Sequence, residues 1–172
     1  MLFRSALFGE FLRARAADAL PAAALQALRL QAAGLLAAHG HADAAISQLI
    51  HAEAWAEALV LLDAHAGRFT AQGRTRMVSD WILALPENTR ASAQACYWLG
   101  FCELAVDPVT ALAHLERAHQ GFVAAGDALG AFYAAAAAAD AVVFIGANLH
   151  AIEPWMAVLE SGTPAYLARR DA

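Results

Sequence analysis

The sequence predicts an all-α protein of helical hairpins, and three observations lead to this prediction. Of its 172 residues, 48 are alanine, the strongest helix former. Clusters of glycine, proline and aspartate divide the chain into segments of helical length. Three glycines also recur at intervals of 33 residues, a period typical of stacked helical hairpins. We therefore expect antiparallel hairpins stacked as a right-handed superhelix, with no strand.

The repeat starts in the first helix of each predicted hairpin, at Gly34, Gly67 and Gly100. In each unit an apolar residue follows 11 positions later, and two more follow at steps of four and three. These steps place one apolar stripe along the second helix. We expect the glycines to allow close approach of two helices, and the stripe to face the neighbouring unit. The nine stripe positions are Ala45, Leu49, Ala52, Val78, Ile82, Leu85, Ala111, Leu115 and Ala118.

Three segments are predicted along the chain. Residues 1–18 form a terminal helix, residues 19–160 form the helical repeats, and residues 161–172 form a frayed tail. A buried helix is expected from Ala131 to Ala147, because Asp140 near its middle would be costly in a membrane; Asp140 itself is expected to face solvent. The predicted helices lie near residues 2–17, 21–39, 42–52, 55–72, 74–85, 90–105, 108–125, 127–146 and 151–160.

Charge and cysteine content exclude several functions. The net charge is -5 and the arginines are dispersed, so we expect no nucleic-acid contact by this segment. The chain has no lysine, which excludes a P-loop and a Schiff-base site. Cys96 and Cys102 would point to different helix faces, so no disulfide joins them. With no signal peptide near the N-terminus, these features predict a cytoplasmic protein without a membrane partner.

The residues that could carry chemistry form no complete site in the sequence. Glu116 and His119 make a single E-x-x-H, whereas di-iron bundles need two copies and further glutamates. His39 and His41 flank a glycine turn, where C-capping explains them. Neither cysteine has a nearby base, which favours buried structural thiols. We expect no enzyme activity, no metal and no cofactor. Packing is the expected role of the four tryptophans, Trp55, Trp81, Trp98 and Trp155.

The third repeat resembles the tetratricopeptide (TPR) pattern. Trp98, Leu99 and Gly100 are followed by the Ala111, Leu115 and Ala118 steps, as in the W-x2-L-G-x2-Y and A-x3-F signature. The match is divergent, because Trp98 adjoins Leu99 instead of preceding it by three, and Glu103 replaces the tyrosine. A right-handed TPR-like superhelix is what this resemblance implies.

A second resemblance covers roughly residues 2–125. It rests on the segment Leu7-Phe8-Gly9-Glu10-Phe11-Leu12-Arg13, on Ala32 to Gly40 with Ala44 and Ala45, on His51 to Leu62, and on Trp81-Ile82-Leu83-Ala84-Leu85-Pro86. In order and spacing these segments resemble the helical-repeat region of MalT-like regulators of the LuxR family. The resemblance implies a fragment of a bacterial transcription activator, a sensor arm between an ATPase module and a DNA-binding helix-turn-helix. Residues 1–18 would then be the end of the ATPase module.

The TPR register also selects candidate binding residues on the concave face, counted from the small residue of each first helix. These groups suit an extended peptide or a polar small molecule. We therefore expect a protein or small-molecule inducer as the partner. Two alternatives are a free-standing adaptor that binds a peptide and a helical enzyme or cofactor bundle. The selected residues are Gln31, His39, Arg68, Gln72, Gln94, Tyr97 and Phe101.

The register makes a testable prediction about two of these helices. Arg68→Ala should weaken binding by about 1 to 3 kcal/mol with little loss of stability. Gly100→Leu should instead destabilise the fold by about 1 to 3 kcal/mol, because leucine would overpack a close helix contact. Thermal melting and partner affinity of both variants check this. The register is wrong if Arg68→Ala melts the protein while Gly100→Leu leaves it intact.

Overall fold

The computed structural model describes residues 20–146 and 149–170, with side chains described to residue 162 except at residue 149. Within these ranges every regular element is helical, as the alanine content predicted. The elements are α1 (Ala22–Ala38), α2 (Ala42–His51), α3 (Trp55–Ala71), α4 (Thr75–Leu83), α5 (Glu87–Arg90), α6 (Ala93–Glu103), α7 (Pro108–Ala124), α8 (Ala128–Ile145), a 3-10 turn (Leu149–Ala151) and α9 (Glu153–Arg170).

Most helix boundaries lie within a few residues of those predicted, and two differ for physical reasons. A break was expected at residues 86–89, but Pro86 starts the short helix α5, its carbonyl accepting from Thr89 and Arg90. Proline has a φ suited to a helix start. The predicted end at residue 160 is too early, since α9 runs to Arg170. There Gly162 lies against Phe132, a tertiary contact that supports the helix. The helix predicted over residues 2–17 lies outside the described residues.

Several helix ends follow local sequence rules. Asp107 and Asp127 cap the N-termini of α7 and α8 by accepting from the backbone N–H of Thr110 and Gly130. Because the Thr110 hydroxyl and N–H both donate to Asp107, the pKa of this carboxyl is lowered. At the end of α2 the backbone turns through Glu53 at φ 57, a left-handed conformation that costs a non-glycine residue about 1 kcal/mol. The chain thus ends α2 without the glycine that usually serves there.

The chain divides into two compact units, Met1–Leu61 and Leu62–Ala172. In the first unit α1 packs on α2. The Gln26 side-chain amide donates to the carbonyl of Ala52 at 2.9 Å, and the Arg29 guanidinium donates to the carbonyl of His51 at 2.5 Å. Both carbonyls lie at the C-terminal end of α2, where the last carbonyls have no partner inside the helix. Polar side chains of α1 therefore close the end of α2.

In the second unit α6 packs on α7, α7 on α8, and α8 on α9. Its core joins Cys96 of α6, Ala118 and Phe122 of α7, and the small side chains Ala131 and Ala134 of α8. A second cluster continues this core from Leu115 through the alanines of α8 to Trp155 of α9. Helix α8 therefore lies in the middle of the unit's packing.

The predicted apolar stripe is buried at all nine positions. Ala45, Val78 and Ala111 are fully inaccessible, and the residues four and seven positions after each of them are buried as well. Burial at each step confirms the spacing read from the sequence. Seven of the positions lie on helices, where an amphipathic helix buries one face at steps of three and four, and Ala52 and Leu85 lie just after the ends of α2 and α4.

The three repeat glycines do not share one role, and this corrects the expectation that each allows close helix approach. Among the described residues, a Cβ at Gly34 would have nothing within 4 Å, and one at Gly67 would lie 3.6 Å from Trp98 Cη2. Only at Gly100 would a Cβ clash, at 2.6 Å from Leu115 Cγ and 2.9 Å from the Ala111 carbonyl oxygen. In the first two repeats the buried small residue is the preceding alanine, Ala33 or Ala66. The 33-residue period therefore holds, but in the first two repeats the small residue that packs lies one position before the glycine.

Helix α8 was expected to be buried, and eight of its residues are. Most of these are alanines between Ala131 and Ala141, and alanine is small enough to let α7 and α9 approach the backbone. Asp140 is exposed, as predicted. Among the described helices α8 alone is long and apolar enough to cross a membrane, and 44% of that span is buried inside the protein. A core helix of a soluble protein satisfies the same criterion.

The glycine contacts predict opposite effects of one substitution at two repeat positions. Gly100→Ala should destabilise the protein by about 1 to 3 kcal/mol, because the added methyl would clash with α7. Gly34→Ala is the matched control and should stabilise by about 0.5 to 1 kcal/mol, because it adds helix propensity in open space. Chemical denaturation of both variants measures these differences. Equal effects at the two positions would contradict the packing described here.

Candidate functional site

A cavity of about 400 Å³ lies among helices of the second unit. Helix α3 contributes one residue to its wall, α6 three, α7 one, and the start of α8 the rest. Four of the lining side chains are aromatic and two are carboxylates. The lining residues are Asp63, Gln94, Tyr97, Trp98, Phe122, Asp127, Leu129, Gly130 and Tyr133. The size lies within the range of small-molecule sites, and the wall combines large apolar surface with a few polar groups.

Trp98 is held at the cavity wall from two sides. Its indole Nε1 donates to Asp63 Oδ1 at 2.7 Å, and its ring lies beside Gly67. Asp63 and Gly67 are four residues apart, which places them on one face of α3. The Trp98 ring also makes an edge contact with Phe101, at 5.7 Å between centroids. The orientation of the indole is therefore fixed before any ligand arrives.

Tyr97 lies at the centre of the aromatic wall. Its ring contacts Trp98 edge-on at 4.9 Å and Phe122 at 6.5 Å between centroids. Burial, together with the nearby Tyr133 and Asp63, raises the pKa of the Tyr97 hydroxyl to about 12. The hydroxyl therefore stays protonated at neutral pH and is available as a hydrogen-bond donor.

The far wall depends on the turn between α7 and α8. Asp127 Oδ1 accepts from the N–H of Gly130 at 3.0 Å and so begins α8 at this point. A Cβ at Gly130 would lie 2.5 Å from Phe122 Cδ1, so glycine is required for the ring to lie against the backbone. This contact places Phe122 and the first turn of α8 together at the cavity.

The structure brings together three of the seven residues selected by the TPR register. Gln94 and Tyr97 line the cavity, and the ring of the exposed Phe101 contacts that of Tyr97 at 6.1 Å. Arg68 and Gln72 are exposed and are not among the described lining residues, and the Arg68 guanidinium lies over the Phe69 ring. Their role in binding stays a prediction.

Gln31 and His39 belong to the first unit. Both are exposed. The His39 ring lies 2.7 Å from the Leu35 carbonyl oxygen, consistent with the C-cap role that the turn predicted. A cavity of about 330 Å³ also lies in this unit, among residues of α1 and the end of α2. Neither Gln31 nor His39 is among its described lining residues.

The register missed seven of the lining residues, which are Asp63, Trp98, Phe122, Asp127, Leu129, Gly130 and Tyr133. Counting started from Gly67, but the buried small residue of α3 is Ala66. Three positions before Ala66 is Asp63, so a register taken from the buried residue finds it. Trp98 was assigned to packing alone, and no sequence signal showed that it also borders a cavity. Asp127 was identified only as part of a break between helices.

The cysteines, Glu116 and His119 do not line the cavity in the described residues. Cys96 is buried, Cys102 is half-buried, and both are free thiols. Burial, together with the Glu103 carboxylate, raises the pKa of the Cys102 thiol to about 12, which makes the thiol a poor nucleophile. Glu116 is exposed, and the His119 ring contacts Trp155 edge-on at 5.4 Å. No group of three metal-binding side chains occurs within the described part of the chain.

No family model matches the chain, and no curated protein or solved structure matches it significantly.

Two histidines of α7 predict how stability depends on pH. The pKa of His114 is lowered by burial and by Arg117, against the opposing effect of Glu103, and burial lowers the pKa of His119. A lowered folded-state pKa stabilises the fold above the unfolded-state value of about 6.5 and loses that contribution as pH falls below it. We expect the melting temperature to fall between about pH 7 and 5 for this reason.

The His114→Gln, His119→Gln double variant should show a smaller fall in melting temperature over this range. Exposed His41→Gln is the control, and it should follow the wild-type curve. Carboxylates with lowered pKa, such as Glu87 and Asp107, protonate at lower pH than the histidines. Their effect on the melting temperature therefore falls in a different pH range. A double variant with the wild-type pH slope would contradict the prediction.

Proposed function

We propose that this chain is a non-catalytic, TPR-like binding module whose ligand site is the cavity of the second unit. In this proposal the helices form antiparallel hairpins in a right-handed superhelix. The observation that carries it is the cavity itself, in which four aromatic side chains and two carboxylates line an open volume of about 400 Å³. Cavities between packed helices are a common position for ligand sites.

The polar groups of the cavity support binding over catalysis. Asp63 holds the Trp98 indole, and Asp127 caps α8. The Tyr97 hydroxyl has a pKa of about 12, far from the value near 7 that suits a general acid or base. Groups of this kind orient and recognise a ligand.

The proposed biological setting is the sensor region of a MalT-like regulator of the LuxR family, acting in the cytoplasm. The supporting observations are the sequence segments that resemble that family and the buried apolar stripe, whose positions recur every 33 residues. The partner in this setting is a protein or small-molecule inducer, and DNA would be bound by another module of the regulator.

The flanking reading frame tests the setting. An upstream GxxxxGK motif and a downstream helix-turn-helix would support the regulator. A frame that starts and stops close to these residues would favour a free-standing peptide-binding adaptor instead.

Filling the cavity tests the binding site directly. Gln94→Trp should place an indole at the half-buried cavity wall and weaken ligand binding at least about tenfold, equivalent to about 1.4 kcal/mol. The matched control is Gln72→Trp, at an exposed candidate position outside the described lining. Binding of a fragment and peptide library to both variants and the wild type, followed by NMR, measures this. Melting temperatures of the three proteins should agree within a few degrees.

The two positions also separate the cavity from the concave face predicted by the register. Loss of binding in Gln94→Trp alone supports the cavity. Loss in Gln72→Trp alone would move the site to the surface around Arg68, and retention of all library hits by Gln94→Trp would refute the cavity as the site.

A further inference from the structure

We propose that the cavity binds the guanidinium group of an arginine side chain in a partner peptide. This inference rests on the proposed function, because it names the ligand class of the same site. It is carried by the aromatic wall, by the charge of the lining residues and by the way in which Asp63 is oriented.

The aromatic wall provides surfaces that attract cations. Trp98, Tyr97 and Tyr133 line one cavity, and a cation within about 6 Å of such a ring face is attracted by the ring quadrupole. Tyr97 and Trp98 are locked edge to face at an interplanar angle of 69°, so their faces point in different directions.

The charge of the lining is negative. Asp63 and Asp127 are both in the lining, whereas no arginine is among the described lining residues. The chain contains no lysine that could balance them. Asp127 lies at the N-terminus of α8, where the helix dipole offsets part of its charge. The negative charge of Asp63 has no such counterpart in the described site.

Asp63 is oriented to accept a second donor. Its Oδ1 takes the Trp98 indole N–H, and no side chain in the described residues donates to its other oxygen. A carboxylate has two acceptor oxygens. Because the indole N–H restrains Oδ1, the exposed Asp63 carboxylate is already partly ordered, and less side-chain entropy is lost when a cation at the ring face contacts the other oxygen.

Guanidinium fits this combination better than ammonium does. It is planar, stacks on aromatic faces, and carries several N–H donors that can reach a carboxylate and a side-chain amide together. Gln94 provides such an amide in the lining. The cavity volume of about 400 Å³ exceeds what one guanidinium fills, which leaves room for the peptide that carries it.

The experiment compares acetyl-Ala-Arg-Ala-amide with its citrulline analogue, which has nearly the same shape but no charge. Isothermal titration calorimetry with the whole chain gives both affinities. We expect the arginine peptide to bind at least about tenfold more tightly, because cation–π and charge-assisted contacts are lost with the charge. The lysine peptide should also bind more weakly, and N-acetyl-arginine amide should bind more weakly than the tripeptide.

Asp63→Asn removes the charge but keeps an oxygen that can accept from Trp98. We expect about tenfold weaker binding of the arginine peptide and unchanged binding of the citrulline peptide. Asp140→Asn is the matched control, because Asp140 is exposed and is not part of the described lining. It should leave both affinities unchanged, and neither variant should lower the melting temperature appreciably.

Each contrary outcome has a distinct meaning. Equal binding of arginine and citrulline peptides, both abolished by Gln94→Trp, overturns the cation inference and leaves the cavity as a binding site. If the lysine peptide binds as tightly as the arginine peptide, the assignment to guanidinium is wrong. If N-acetyl-arginine amide binds as tightly as the tripeptide, the inference that the ligand is a peptide is wrong. If the arginine peptide fails to bind while library hits still depend on Gln94, the inference fails alone. If no ligand depends on Gln94, the proposed function fails with it.

Discussion

The approach of α6 to α7 at Gly100 is the constraint on which the second unit depends. The space of a Cβ at this position is already occupied by Leu115, and the Ala111 carbonyl oxygen lies nearly as close. With the backbones this near, Cys96 and Leu99 of α6 are buried together with the α7 stripe. The same approach brings the Tyr97 ring against Phe122. Part of the cavity wall therefore depends on the contact between the Gly100 backbone and Leu115, two residues that are not in the described lining.

Helix α8 shows a second use of small side chains. Its low-complexity alanine run carries little information in the sequence, yet these residues are the centre of the packing. Alanine buries modest apolar area, and its contribution lies in allowing close helix approach at no cost in side-chain entropy. The bulky partners come from the neighbouring helices, with Phe122 on one side and Trp155 on the other. Polar caps then set where α8 begins, and the Asp127 cap lies at the cavity itself.

The cavity combines rigid aromatic surface with carboxylates that already have structural partners. Rigid rings lose little conformational freedom when a ligand binds. The indole of Trp98 is held both by the Asp63 carboxylate and by contact with α3. The wall is therefore held in place by contacts within the second unit.

The sequence by itself determined the helical class, most helix boundaries and the buried stripe, because these depend on local propensity, caps and the 3.6-residue period. It also indicated Gln94 and Tyr97, since the third repeat keeps its register at Gly100. Only the tertiary structure decided that Ala66 and not Gly67 is buried, and that Asp63 accepts a hydrogen bond from Trp98. It also decided that α9 continues beyond residue 160, where Gly162 packs against Phe132. Each of these depends on contacts between helices far apart in the chain, and periodicity along one helix carries no information about which residue a neighbouring helix will touch.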